Sequence, residues 1–203
     1  MDRLIDKTAL IFGADPITAG IATRFAREGA KVTLADEAGA LAAIGPILGV
    51  ETVTVSDGRP QSAARAATEA IGGGPLDILV IGGGDVPPEA DWKPVSQVSV
   101  DALLEGQQET ARALAVARAA EAALLDGGGS VIFMFSPAGL YSEGGWGDRT
   151  VVHHAKRGLA RALAMQWGHA QVRANTLVPQ ADTPGAAAYR KRTPELVDFR
   201  ISK

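Results

Sequence analysis

Three cationic side chains, Arg149, His153 and Arg157, recur every fourth residue and so share roughly one face of any helix that holds them. Such a face cradles an anion, and its imidazole exchanges a proton near neutral pH, whereas arginine, with a pKa above about 12, keeps its own. Ser136, which closes an apolar run, is a candidate hydroxyl group. The plainer expectation is a solvated basic face. His153 and His154 invite a metal, but neighbours on a helix point about 100° apart. His169 stands alone and no His-Glu-x-x-His run is present, so no metal is expected. Near the amino terminus, Gly13 closes another apolar run, where a glycine lets backbone N–H groups approach a phosphate at a helix start. Behind it stand Asp15 and Pro16, a capping residue and a first helical residue, which bring a carboxylate to that spot and remove one donor. Asp36 follows the next apolar run, 23 residues after Gly13, as an acceptor suited to sugar hydroxyls.

The elements that must position these groups are legible as alternation. Apolar runs at residues 8–12, 31–35, 52–55, 77–81, 130–135 and 172–178 predict six strands. Alanine- and leucine-rich segments at 18–28, 61–71, 101–125 and 151–167 predict the helices between them. Strand-helix repetition of this kind predicts an α/β fold, a doubly wound, Rossmann-like parallel sheet whose ligand sits at the carboxyl ends of the strands. Glycines at 29, 72–74 and 127–129 stand where helices should stop. One domain over residues 1–184, with a short tail at 185–203, accounts for the chain.

Composition narrows the classes. The 203 residues hold 20 basic and 23 acidic side chains, a net charge of −3, which gives no footprint for nucleic acid or an anionic membrane. With no cysteine there is no disulfide framework, thiolate metal site or cysteine nucleophile. The longest apolar runs are four or five residues, and neither 78–81 nor 131–135 approaches the roughly 20 that span a bilayer. The charged start, Asp2 to Lys7, does not read as a signal peptide, so a soluble, cytoplasmic protein is expected.

Four stretches, taken together, resemble the short-chain dehydrogenase/reductase family. They are 9–30, ending Phe-Ala-Arg-Glu-Gly-Ala, 76–84, 129–139 with its Ser136-Pro-Ala-Gly, and 158–184 with Val-Arg-Ala-Asn-Thr-Leu-Val-Pro-Gln before Asp182-Thr-Pro. The resemblance runs from about residue 5 to 184. It implies hydride transfer between a nicotinamide cofactor and a carbonyl or alcohol, carried by Asn, Ser, Tyr and Lys.

Carried over residue by residue, the resemblance places cofactor contacts at Gly13, Ile17, Asp36, Asp57, Gly82, Gly83, Pro179 and Thr183. Asp36 would favour NAD over NADP. Of the family's T-G-x-x-x-G-x-G, a register counted back from Gly29 keeps Gly13 alone, with Pro16 and Thr18 at the later glycines. A gapped register instead sets Gly20 on the motif, similar to the longer loop of enoyl reductases. The Asn-Asn-Ala-Gly run becomes Ile81-Gly82-Gly83-Gly84.

Among catalytic positions Ser136 is retained and the asparagine falls on Gln107. Counting about 13 residues on, then four more for the lysine that lowers the tyrosine pKa, puts Arg149 at the Tyr position and His153 at the Lys position. Recruiting Lys156 by a shift of three puts Val152 where the tyrosine belongs. The only tyrosines, Tyr141 and Tyr189, begin no Tyr-x-x-x-Lys, and halohydrin dehalogenases, which replace the lysine but keep the tyrosine, fit no better. Tyr141 and Trp146 would overhang the cleft.

The expectation is therefore a family fold with a degenerate site, doubtful NAD binding and no metal. It would act as a non-catalytic subunit of a homo-oligomer, or of a hetero-oligomer with a catalytically complete relative, packed through helices 101–125 and 151–167. The alternatives are an atypical NAD-linked oxidoreductase, a repurposed Ser136 and His153 site, or a small-molecule binding protein. Ordinary members continue through further helices and a last strand, so a C-terminally shortened domain is expected.

Overall fold

The computed structural model describes residues 2–82, 95–135 and 147–178. Strands β1 (Thr8–Phe12), β2 (Lys31–Glu37), β3 (Val50–Val55), β4 (Ile78–Ile81), β5 (Gly129–Met134) and β6 (Val172–Leu177) alternate with helices. The helices are α1 (Pro16–Arg27), α2 (Ala38–Ile44), α3 (Pro60–Ile71), α4 (Val100–Gly127) and α5 (Gly147–Trp167). Short 3-10 turns lie at Val95–Gln97 and Gly168–Ala170.

All strand pairs are parallel, in the order β3-β2-β1-β4-β5-β6. This is the doubly wound, Rossmann-like arrangement expected from the alternation. Parallel strands between two helix layers bury both faces, which is why β4 and β5 are apolar along almost their whole length.

One layer packs Leu10, Phe12, Leu79, Ile81 and Phe133 against the small faces of α3 and α4 (Ala63, Ala67, Ala113, Ala117) and against Leu163 and Trp167 of α5. The opposite layer packs Ile11, Val32, Leu34, Val80 and Met134 beneath α1 and α2. Sequence order reverses direction between β1 and β4. A crevice opens there at the strands' carboxyl ends, because α1 and α4 leave on opposite faces. Among the described residues no helix is long and apolar enough to cross a membrane.

Helix α5 starts four residues before the expected 151 and β3 two before 52, and two further departures bear on the site. Helix α2 was not anticipated: its seven residues, Ala-Gly-Ala-Leu-Ala-Ala-Ile, start at Glu37 without a side-chain cap and stop at Gly45, too short a run to display a period. Strand β2 continues to Glu37, because Asp36 and Glu37 still pair with Thr54 and Val55 of β3. The Asp36 carboxyl is thus fixed to the end of a strand.

Candidate functional site

The crevice is a cleft of about 260 Å³, lined by Phe12, Gly13, Ala14 and Asp15 from β1 and its loop, Asp36 from β2, and Ile81 and Gly82 from β4. Glu109, Arg112 and Ala113 of α4 and Lys156 of α5 complete it. Its floor is tight. Gly13 has φ +102°, and a Cβ on Gly82 would lie 3.0 Å from the Phe12 carbonyl oxygen and 3.1 Å from Thr18 Cγ2. The two glycines let the β1 and β4 loops touch.

At the start of α1 every backbone donor is already used. Gly13 N–H donates to the Ala35 carbonyl at 2.9 Å. Ala14 N–H donates to Asp36 Oδ2 at 2.7 Å, and Asp15 N–H to Thr18 Oγ1 at 2.8 Å. Pro16 has no N–H, and Ile17 and Thr18 both donate to Asp15 Oδ1 at 2.8 Å. Asp15 and Thr18 form a reciprocal capping box, which fills the anion-attracting pole of the helix with the chain's own carboxylate.

Asp36 is equally committed. Besides the Ala14 donor it accepts from Glu37 N–H at 2.8 Å, and Arg112 Nη2 lies 3.6 Å from its Oδ1. Arg112 Nη1 stands 3.6 Å from Glu37 Oε1, and the guanidinium sits 5.6 Å from the centroid of the Phe12 ring. Arg112 therefore bridges α4 to the end of β2 across the cleft, with its buried Nε unpartnered.

On the α5 side, Lys156 is 1% exposed and its Nζ is in short contact with Glu109 Oε1. The other oxygen of Glu109 lies 3.4 Å from Arg149 Nη1. One helical turn before Lys156 the same buried stripe carries Val152. His153 is buried against Phe135, ring centroids 5.7 Å apart, with Nδ1 unpartnered. Burial, with the Lys156 charge next in weight, pushes its pKa down to about 4, against a smaller opposing pull from Glu109. It is a neutral imidazole at pH 7.

The structure brings Gly13, Asp36 and Gly82 together in the cleft, as the sequence reading had them. It does not bring Ile17, Asp57, Gln107, Arg149 or His153 to its lining. Ile17 packs against the α1-side core. Asp57 is bound by Arg59 through two side-chain contacts, at 2.7 and 3.1 Å, which with Ser62 hold its carboxyl well below the usual range. Gln107 is half-buried on α4. The solvated basic face is corrected in one member: Arg149 and Arg157 are exposed, but His153 is enclosed. Ser136, Tyr141, Trp146, Gly83, Pro179 and Thr183 lie outside the described residues.

Three cleft groups, Glu109, Arg112 and Lys156, were not assigned a role from sequence. Lys156 had a readable signal: it falls on the apolar stripe Val152, Ala160, Leu163 and Trp167, and a lysine there must be buried. Among the described residues no cluster of three or more His, Asp or Glu could hold a metal ion.

Residues 13–201 match a family model described as enoyl-(acyl carrier protein) reductase. The chain belongs to the short-chain dehydrogenase/reductase family. It is 32% identical over 192 residues to cis-1,2-dihydrobenzene-1,2-diol dehydrogenase of Pseudomonas putida, covering 87% of this chain and 66% of that protein. The chain thus spans about two thirds of that relative's length. It is 30% identical over 210 residues to galactitol 2-dehydrogenase (L-tagatose-forming) of Cereibacter sphaeroides, covering 97% of this chain and 79% of that one. The fold is also similar to that of the solved structure of carveol dehydrogenase from Mycobacterium avium in complex with NAD. That match has a TM-score of 0.78 at 22% identity, covering 96% of this chain and 79% of the other.

Proposed function

We propose that this chain is a non-catalytic member of the short-chain dehydrogenase/reductase family, serving as a subunit beside a catalytically complete relative. The observation that carries the reading is the closed phosphate pole. From Gly13 to Thr18 every N–H is engaged within the protein, and the carboxylate of Asp15 fills the helix pole to which a pyrophosphate would bring more negative charge. The residues present do not fit the pyrophosphate of a nicotinamide dinucleotide, so no hydride step is derived through one.

The catalytic side supports the same reading. Reduction of a carbonyl in this family needs an acid beside the substrate. Here Val152, without a proton to give, precedes the cleft lysine by one turn. Asp36 is already bound by Ala14 N–H and faced by Arg112, so its carboxylate is not spare for a ribose. Association would run through α4 and α5, whose outer faces expose Leu104, Leu114, Val151 and Met165.

Affinity purification of the tagged chain from its native host tests the subunit reading. A family member with an intact Tyr-x-x-x-Lys should accompany it, and dehydrogenase activity should belong to the complex. Recovery of a single homomeric species that turns over a carbonyl with NADH overturns it, in favour of an atypical NAD-linked oxidoreductase.

A further inference from the structure

Lys156 is a primary amine built into a cleft, and the proposed subunit role makes no use of it. Its side chain is 1% exposed, on the buried stripe of α5, yet it lines the cleft. The Glu109 carboxylate that holds it lines the same cleft and is 30% exposed, so the amine lies just behind a group that solutes reach. Phe12, Ile81 and Ala113 give the same cleft apolar lining. Burial is what weakens an ammonium's hold on its proton and makes a lysine a nucleophile; the carboxylate alongside favours the charged form, and is also the base placed to take that proton and return it.

We propose that Lys156 is a covalent, reversible binding site for small aldehydes and ketones, with Glu109 handling the protons. The ammonium passes a proton to the Glu109 carboxylate, and the freed nitrogen lone pair forms a C–N bond to the carbonyl carbon as the C=O π pair moves to oxygen. A proton crosses from that nitrogen to the oxygen, giving a carbinolamine. Glu109 returns its proton to the hydroxyl, the C–O bond breaks and water leaves. The result is a protonated imine facing the Glu109 carboxylate. No electrons are transferred, and the pair of opposite charges that began the sequence also ends it.

The cleft sets the size class. Its volume of about 260 Å³ lies below the range in which pockets for drug-sized ligands begin, about 300 Å³, so short-chain carbonyls fit. Asp15 and Asp36 at the loop end disfavour phosphorylated ones. Binding of this kind does not depend on whether the chain pairs with a relative.

The test is reductive trapping on the 203-residue chain. Limiting propanal is added with sodium cyanoborohydride near neutral pH, and peptide mass mapping follows propylation at each lysine. Lys156 should carry the mark at least about tenfold faster than Lys7 and Lys31, and Glu109→Gln should slow that mark about a hundredfold, as loss of a positioned acid-base group does. Lys156→Arg should remove it while leaving the other lysines as they were. Marking of Lys7 and Lys31 at a rate equal to or above that of Lys156 overturns the site; this measurement needs no variant to fold. An unchanged rate in Glu109→Gln overturns the role given to the carboxylate. Neither result bears on the subunit reading, which co-purification decides.

Discussion

Replacing Glu109 by Ala should cost this fold about 3 kcal/mol. Lys156 is almost fully enclosed and Glu109 is its partner, so truncating the carboxylate strands an ammonium inside the protein. Breaking a buried pair from one side costs about 3–5 kcal/mol. Glu109 is 30% exposed, so water relieves part of the penalty and the lower end applies. At about 2–4 °C per kcal/mol for a chain of this size, the melting temperature should fall by roughly 6–12 °C. Glu109→Gln keeps an acceptor oxygen and should lose only about 1–2 kcal/mol. The double replacement Glu109→Leu with Lys156→Met removes both charges and should return stability to within about 1 kcal/mol of the parent. Urea unfolding of all four proteins, read by tryptophan fluorescence and circular dichroism, measures these differences. If Glu109→Ala costs less than about 1 kcal/mol, the pair behaves as a surface ion pair and the buried-lysine argument is wrong.

Two further outcomes follow from the same geometry. Asp15→Ala removes an acceptor shared by two α1 donors and half of a capping box, and should cost about 1–2 kcal/mol by denaturant unfolding; a change within about 0.3 kcal/mol would show that the cap is not formed. His153, with its folded pKa near 4 against 6.5 when free, takes up no proton over a window in which the unfolded chain does. Stability is therefore intact above pH 6.5 and declines as pH falls toward 4, by about 3 kcal/mol in all from this residue. The stability gap between wild type and His153→Leu should shrink by that amount between pH 7 and pH 4, and a gap that stays constant with pH would place the imidazole in solvent.

The sheet was legible because β1, β4 and β5 are short apolar runs between turn residues, and the helices because most of their alanine-rich segments are long. What sequence spacing could not settle was rotation. Counting forward from Ser136 put His153 at the lysine position, but a helix turns its faces by burial, and Val152, Lys156, Ala160, Leu163 and Trp167 define the inner stripe. A three-residue difference in register moves the charged group that faces the cleft from an imidazole to an ammonium.

Glu109 and Arg112 were hidden for a different reason. On a long helix with many charges, nothing local marks which carboxylate and which guanidinium will meet residues on other elements, one 47 positions along the chain and the other at the end of β2. Asp15 and Pro16, by contrast, act within one turn. Their capping signature was readable and the hydrogen bonds bear it out.

The central claim is that the cleft does not take a dinucleotide, and isothermal titration of NAD and NADH into the purified chain tests it directly. Saturating heats should be absent up to millimolar ligand, because no N–H from Gly13 to Thr18 is free to meet a phosphate. One-to-one binding at micromolar affinity would contradict the account, since it would require the Asp15 cap and the Asp36 bridge to open for the cofactor.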